Sequence, residues 1–227
     1  MQHFSIAIDG PAGAGKSTIA KAAAERLGFI YVDTGAMYRA MALYFLRQGI
    51  DPAAEEEIAA SCGQADVTIR YQDGVQQVIL NGENVSALIR EEAVGNMASA
   101  TSVYLPVREK LVQLQKQLAA QADVVMDGRD IGTCVLPDAQ VKIYLTASVE
   151  ERARRRFLEL EKKGQEADLE AIKEDIRQRD YRDMHRENSP LVQAEDALYL
   201  DTSEMTISQV VEEILAIAAS KGANAPS

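Results

Sequence analysis

The segment Gly10-Pro11-Ala12-Gly13-Ala14-Gly15-Lys16-Ser17-Thr18 constrains this chain more than any other, because of what flanks it. Before it runs an apolar stretch at 4–9, and after it apolar residues recur at helical spacing from Lys16 to Leu27. That order predicts strand, glycine loop, helix. Main-chain N–H groups can close on phosphate oxygens only where no side chain obstructs them, which is what the glycines provide. Lys16 is placed to reach the β- and γ-phosphates of a nucleoside triphosphate, and the Ser17 hydroxyl to meet Mg²⁺. The start of the helix adds partial positive charge.

With 227 residues, the chain has room for one sizeable core and too little for two independent ones, so one domain with excursions is expected. The N-terminus lacks the charged-then-apolar pattern of a secretion signal, and no apolar run approaches 18 residues. A cytoplasmic protein with no membrane contact is the expectation. Cys62 and Cys134 stand far apart without metal-ligand spacing and read as reduced thiols; His3 and His185 are isolated. The tail at 222–227 reads as unstructured.

A net charge of −11 disfavours nucleic acid as a partner, yet 13 of the 24 Lys and Arg fall between Arg129 and Arg186. Such concentration in an acidic chain points to a local anion site.

Short apolar runs alternate with helical patterns: 4–9 and a helix to Leu27; 29–32 and a helix over 36–47; 124–127; Val141–Thr146 and a helix over 149–163; Leu198–Asp201 and a helix over 207–219. This predicts an α/β fold with about five parallel strands covered by helices on both faces. Ligands in such sheets gather at the strand C-terminal ends, so the loops after Ile8, Val32, Met126 and Leu145 are expected to line the site. One stretch departs from the alternation. Residues 67–71 and 75–80 have a period near two and flank Asp73-Gly74, with Asn81-Gly82 following, so an antiparallel hairpin is expected there as a small insertion.

Arg152, Arg155 and Arg156 share one helical face, with Arg154 turned away. They fit either a solvated face balanced by Glu150, Glu151 and Glu159, or a cationic surface that neutralises a transferring phosphoryl group. Arg179, Arg182, Asp183 and Arg186 form a second stripe, which suits ion pairing or a grip on a phosphate and a ribose hydroxyl. Asp127 ends an apolar strand, as a magnesium-associated acid does in phosphate-loop proteins; Asp127-Gly128 equally suits a tight turn.

Taken together, GPAGAGKST at 10–18, VDTGAMYR at 32–39, NMAS at 96–99, PVR at 106–108, DGRDIGT at 127–133, VKIYL at 141–145, RDYRDMHR at 179–186 and SPL at 189–191 resemble the bacterial cytidylate kinases, a family of nucleoside monophosphate kinases. The motifs span nearly the whole chain in the family's order. The resemblance implies a single phosphate-loop kinase domain, monomeric, with a core at about 1–33, 120–150 and 187–221. It further implies a nucleotide-binding excursion at about 34–119, which holds a small β insertion near 66–85, and a helical lid at about 151–186.

It implies ATP as phosphoryl donor at residues 10–18, Mg²⁺ at Ser17, and CMP and dCMP as acceptors. Arg39, Arg129 and Arg186 then hold the acceptor phosphate, Arg179 and Asp183 the ribose, and Ser99, Arg108 and Asp130 the base, with Thr34 also at the substrate. Lys16, Arg129, Arg186 and Arg155 carry the charge neutralisation of catalysis, and Asp33 is a candidate to orient a magnesium-bound water. Two departures are visible: Lys16-Ser17 where some members have Lys-Gly, and Thr34 where some have serine.

The base assignment also makes chemical sense by itself. Cytosine offers an amino donor that a carboxylate can accept, whereas the keto oxygen of uracil would face that carboxylate unpaired. An acceptor phosphate with a second pKa near 6 is already ionised at neutral pH and requires no general base. Rival readings are another kinase on the same core, acting on shikimate or UMP, a nucleotide-dependent switch, and a noncatalytic nucleotide-binding protein. The switch lacks its guanine-reading N-K-x-D and its D-x-x-G.

Overall fold

A computed structural model describes residues 3–223. The chain divides into two compact units, a smaller one built mainly of 32–122 and a larger one of 4–31 with the chain from 123 onward.

The larger unit is organised by strands β1 (Ser5–Asp9), β6 (Val124–Gly128), β7 (Val141–Thr146) and β8 (Leu198–Asp201). With β2 (Ile30–Asp33) they form a five-stranded sheet in the order β2-β6-β1-β7-β8. Strand β1 runs parallel to both β6 and β7, and β8 parallel to β7. Every residue of β1 and β6 is buried, as expected of central strands covered on both faces. Helix α1 (Lys16–Leu27) packs with α8 (Ile207–Ser220), and its Ala20, Ala23 and Ala24 join Val210, Val211, Ile214 and Ala218 in the core. Helices α6 (Val149–Lys162) and α7 (Leu169–His185) pack on each other.

In the smaller unit, α2 (Thr34–Gln48) packs on α4 (Glu92–Thr101) and α5 (Leu105–Ala119), with α3 (Glu55–Cys62) against α5. The expected hairpin is β3 (Val67–Gln72) with β4 (Val75–Leu80), paired Val67 opposite Leu80 through Gln72 opposite Val75. A third strand, β5 (Glu83–Asn84), extends it. Asp73 at φ 52 and Gly74 at φ 74 supply the left-handed pair that the tight turn requires.

Several boundaries shift for local reasons. Helix α2 starts two residues before the expected position because the Asp33 side chain accepts from the Ala36 N–H and caps it there. Gln76 on β4 braces the same spot: its Oε1 accepts from Asp33 N at 2.9 Å and its Nε2 donates to Asp33 O at 3.3 Å. After β6 comes a single turn of π-helix, Ile131–Val135, which no periodicity announced. At the C-terminus, α8 stops at Ser220 and Gly222 adopts φ 93; the expectation of an unstructured tail falls, for 224–227, outside the described residues. Among the described residues, no helix is long and apolar enough to cross a membrane.

Candidate active site

The glycine loop joins β1 to α1, and its backbone explains its composition. Gly10 has φ +151, and a Cβ there would lie 1.9 Å from the carbonyl oxygen of Leu145 on β7. Gly13 and Gly15 sit at φ 75 and 89, in the left-handed region. Pro11 and Ala14 are buried, the Ala12 carbonyl accepts from Arg152, and Ser17 and Thr18 stand exposed in the first turn of α1. No side chain caps that helix and no acid lies in its first turn. Its leading N–H groups are thereby left to an anion.

Lys16 is 5% exposed, and its Nζ donates to the Pro11 carbonyl at 2.7 Å. Burial, seconded by the nearby Arg129, pushes its ammonium down to about 7 against the pull of Asp127, Asp183 and Asp9. A cation whose burial is so costly is what a polyphosphate would relieve. Beside it the Ser17 hydroxyl donates to Asp127 Oδ2 at 2.9 Å, and Tyr31 donates to Oδ1 at 2.9 Å. Hydroxyl and carboxylate oxygens held together suit a hard cation such as Mg²⁺. Among the described residues no three His, Cys, Asp or Glu side chains cluster as a metal cage. Magnesium shared with substrate phosphates needs none.

The turn after β6 carries Arg129 and Asp130. Arg129 Nε donates to Asp183 Oδ2 at 2.8 Å, and Asp130, 5% exposed, lies 3.7 Å from Arg186 Nη2. Arg186 Nε donates to the carbonyl of Ser189, a residue at φ 48. Arg179 lies 3.4 Å from Asp175. Four of the expected residues, Arg129, Asp130, Asp183 and Arg186, are thus brought together as two arginine–carboxylate pairs.

The arginines of α6 divide. Arg152 is buried, donating to the carbonyls of Ala12 and Ala147 and bidentately to Asp180 at 3.1 and 2.6 Å. Arg155 bonds Glu151 and the Thr202 carbonyl, and its Nη1 lies 3.9 Å from where a Gly15 Cβ would stand. Arg156 belongs with the exposed residues, paired to Glu159 at 3.1 Å. Arg155 and Arg156 are thus balanced by Glu151 and Glu159, two of the acids expected for an ion-paired face, while Arg152 turns to Asp180 and the Ala12 carbonyl.

In the smaller unit, Thr34 is buried at the start of α2, and Asp33, besides capping that helix, lies 3.7 Å from Arg90. Arg108 is buried on α5, donating to the Ser102 carbonyl at 3.1 Å with its guanidinium 5.6 Å from the centre of the Tyr38 ring. Ser99 is half-buried on α4. Arg39 donates to the Ile89 carbonyl and presses on α4 at Gly95, where a Cβ would fall 2.8 Å from Nη1.

Gly95→Ala therefore tests Arg39 without touching it. The alanine favours the helix by about 1 kcal/mol and the flexible guanidinium gives way. A melting temperature at or above the parent's is expected even though Arg39 must shift from the Ile89 carbonyl, and a thermal melt checks it.

A family model described as cytidylate kinase matches residues 6–220. The chain belongs to the cytidylate kinase family. It is 51% identical to the cytidylate kinase of Caldicellulosiruptor saccharolyticus over 95% of each chain. It is 50% identical to that of Enterococcus faecalis over 98% of each. The fold is shared with a crystal structure of an uncharacterized protein from Eubacterium ventriosum, with a TM-score of 0.53 at 12% identity, covering 96% of this chain and 99% of that one.

Two features of this cytidylate kinase family member escape the sequence motifs. One is the Arg152–Asp180 pair, whose separation of 28 residues gives no periodic signal. The other is Asp9, which stands directly before the first loop glycine and was legible only as a strand end.

Proposed function

We propose that the protein transfers the γ-phosphoryl group of ATP to CMP or dCMP, giving ADP and CDP or dCDP, as a cytoplasmic monomer. The observation that carries phosphoryl transfer is Lys16, a buried cation in a glycine loop beside the Ser17–Asp127 pair. Kinship along nearly the whole chain supports cytidine nucleotides as acceptors.

In this reading residues 10–18 hold the triphosphate, and Mg²⁺ is held by Ser17 with Asp127 or Asp33 orienting its water. The ion, when bound, neutralises charge on the phosphoryl oxygens. Arg39, Arg129 and Arg186 take the acceptor phosphate, Arg179 and Asp183 the ribose, and Ser99, Arg108 and Asp130 the base, with Thr34 also assigned to the substrate. Arg155 and Lys16 neutralise charge on the transferring group. Catalysis is then positioning and charge neutralisation, with no proton to remove from an acceptor already ionised. Residues 151–186 act as a lid that excludes water, a competing acceptor. The pairs Arg129–Asp183 and Arg186–Asp130 keep the guanidinium groups near their tasks before substrate arrives.

ADP release from ATP and Mg²⁺ with CMP, dCMP, UMP, AMP and shikimate supplied separately tests the assignment. CMP and dCMP are expected to give the largest kcat/KM, and a larger value for UMP or shikimate replaces it. The depressed Lys16 adds a second readout. At pH 8 the free side chain is mostly neutral, and the phosphates of ATP restore its charge. Binding is expected to take up close to one proton at pH 8 and to lose that uptake by pH 6, as read by titration calorimetry in buffers of different ionisation enthalpy.

A further inference from the structure

Asp9 has no place in the chemistry above, yet it is among the most constrained acids in the larger unit. Its main chain is pinned on both sides, opposite Gly128 of β6 and Tyr144 of β7. Its side chain is 5% exposed, and both oxygens are engaged. Oδ1 accepts from the Ile131 N–H at 2.8 Å and Oδ2 from the Gly132 N–H at 2.7 Å. These two N–H groups open the π turn, where main-chain donors lack partners within the turn.

Position in the chain gives the contact its meaning. The residue after Asp9 is Gly10, the first of the phosphate loop, and the residue before Ile131 is Asp130. One carboxylate thus spans from the donor loop to the turn that carries Arg129 and Asp130. Its burial is costly, raising the carboxyl to about 6 with Asp130 adding to the rise, while the two N–H bonds pull the other way. A neutral Asn or Ser could have served one of those donors without that cost. Only a group with two acceptor oxygens and no hydrogen fits both.

We propose that Asp9 is a positioning residue that fixes the Arg129–Asp130 turn against the phosphate loop, so that the choice between cytosine and uracil depends on a side chain contacting neither base. This rests on the reading of Asp130 as the base-recognising acid.

Asp9→Asn keeps the size but sets an amide donor against one of the two N–H groups. Asp9→Ser keeps one acceptor in a smaller side chain and gives up the other. In each variant the CMP/UMP ratio of kcat/KM is expected to fall about tenfold, KM for ATP to stay within about threefold, and amide exchange at Ile131 and Gly132 to accelerate. Asp130→Asn runs alongside as the direct test of base recognition. If it relaxes the ratio while Asp9→Asn and Asp9→Ser lower only melting temperature or kcat, Asp9 is merely structural and the proposal is overturned. If Asp130→Asn leaves the ratio unchanged, base recognition by Asp130 fails and this proposal fails with it. Should Asp9→Asn not fold, Asp9→Ser decides alone.

Discussion

Lys16→Met is expected to lower kcat for CMP phosphorylation by roughly 10²–10³-fold, the range seen when a preorganised charge facing the reacting centre is removed. KM for CMP is expected to move little, because the lysine belongs to the donor loop. The replacement keeps the apolar stem and removes an ammonium that donates to the Pro11 carbonyl. Stability is expected to hold or fall modestly, since the burial cost of the ammonium disappears while the Pro11 carbonyl loses its donor and Asp127, Asp183 and Asp9 lose a nearby cation. Rapid-quench single turnovers beside a thermal melt separate the two effects. A turnover within about threefold of the parent's removes Lys16 from the chemistry.

Gly10→Ala is expected to be the most damaging single methyl group in the loop. Its Cβ would fall 1.9 Å from the Leu145 oxygen and 3.0 Å from its carbonyl carbon, both main-chain atoms of β7 that have nowhere to go. Overpacking and the unfavourable φ together cost roughly 3 kcal/mol, enough to lower the melting temperature by several degrees. Because the shift needed to relieve the clash moves the loop itself, ATP affinity is expected to fall as well, read by calorimetric titration. Gly63→Ala is the control: φ is −61 and nothing lies within 4 Å of the added methyl, so neither quantity is expected to change. Equal melting temperatures for the two variants would mean that β7 yields at Leu145.

What could be read from the sequence was what repeats or punctuates. Continuous apolar runs located β1, β6 and β7 within a residue, and Lys16 to Leu27 was delimited by Gly15 and Gly28, whose left-handed backbone closes the helix at both ends. Elements without pattern were not legible. Strand β5 is two polar residues paired to the edge that β4 offers, and the π turn is held by a carboxylate 122 and 123 positions before the two N–H groups it accepts from. The same division runs through the site. Lys16 and Ser17 were readable from spacing, whereas the contact of Ser17 with Asp127 comes from β6 lying beside β1. The split of the α6 arginines likewise depends on Asp180 reaching Arg152 and Glu159 reaching Arg156, a choice that helical periodicity alone leaves undecided.

Gln76 imitates a neighbouring strand. By offering an acceptor and a donor to both polar groups of the Asp33 peptide backbone, its amide completes a sheet edge at the very residue that starts α2. Excising the β3–β4 hairpin would leave that N–H and C=O to find water or a new partner, at about 1–3 kcal/mol for each group left buried. The hairpin is thus no removable ornament in this chain, and a shortened relative would need some other side chain in the role that Gln76 fills.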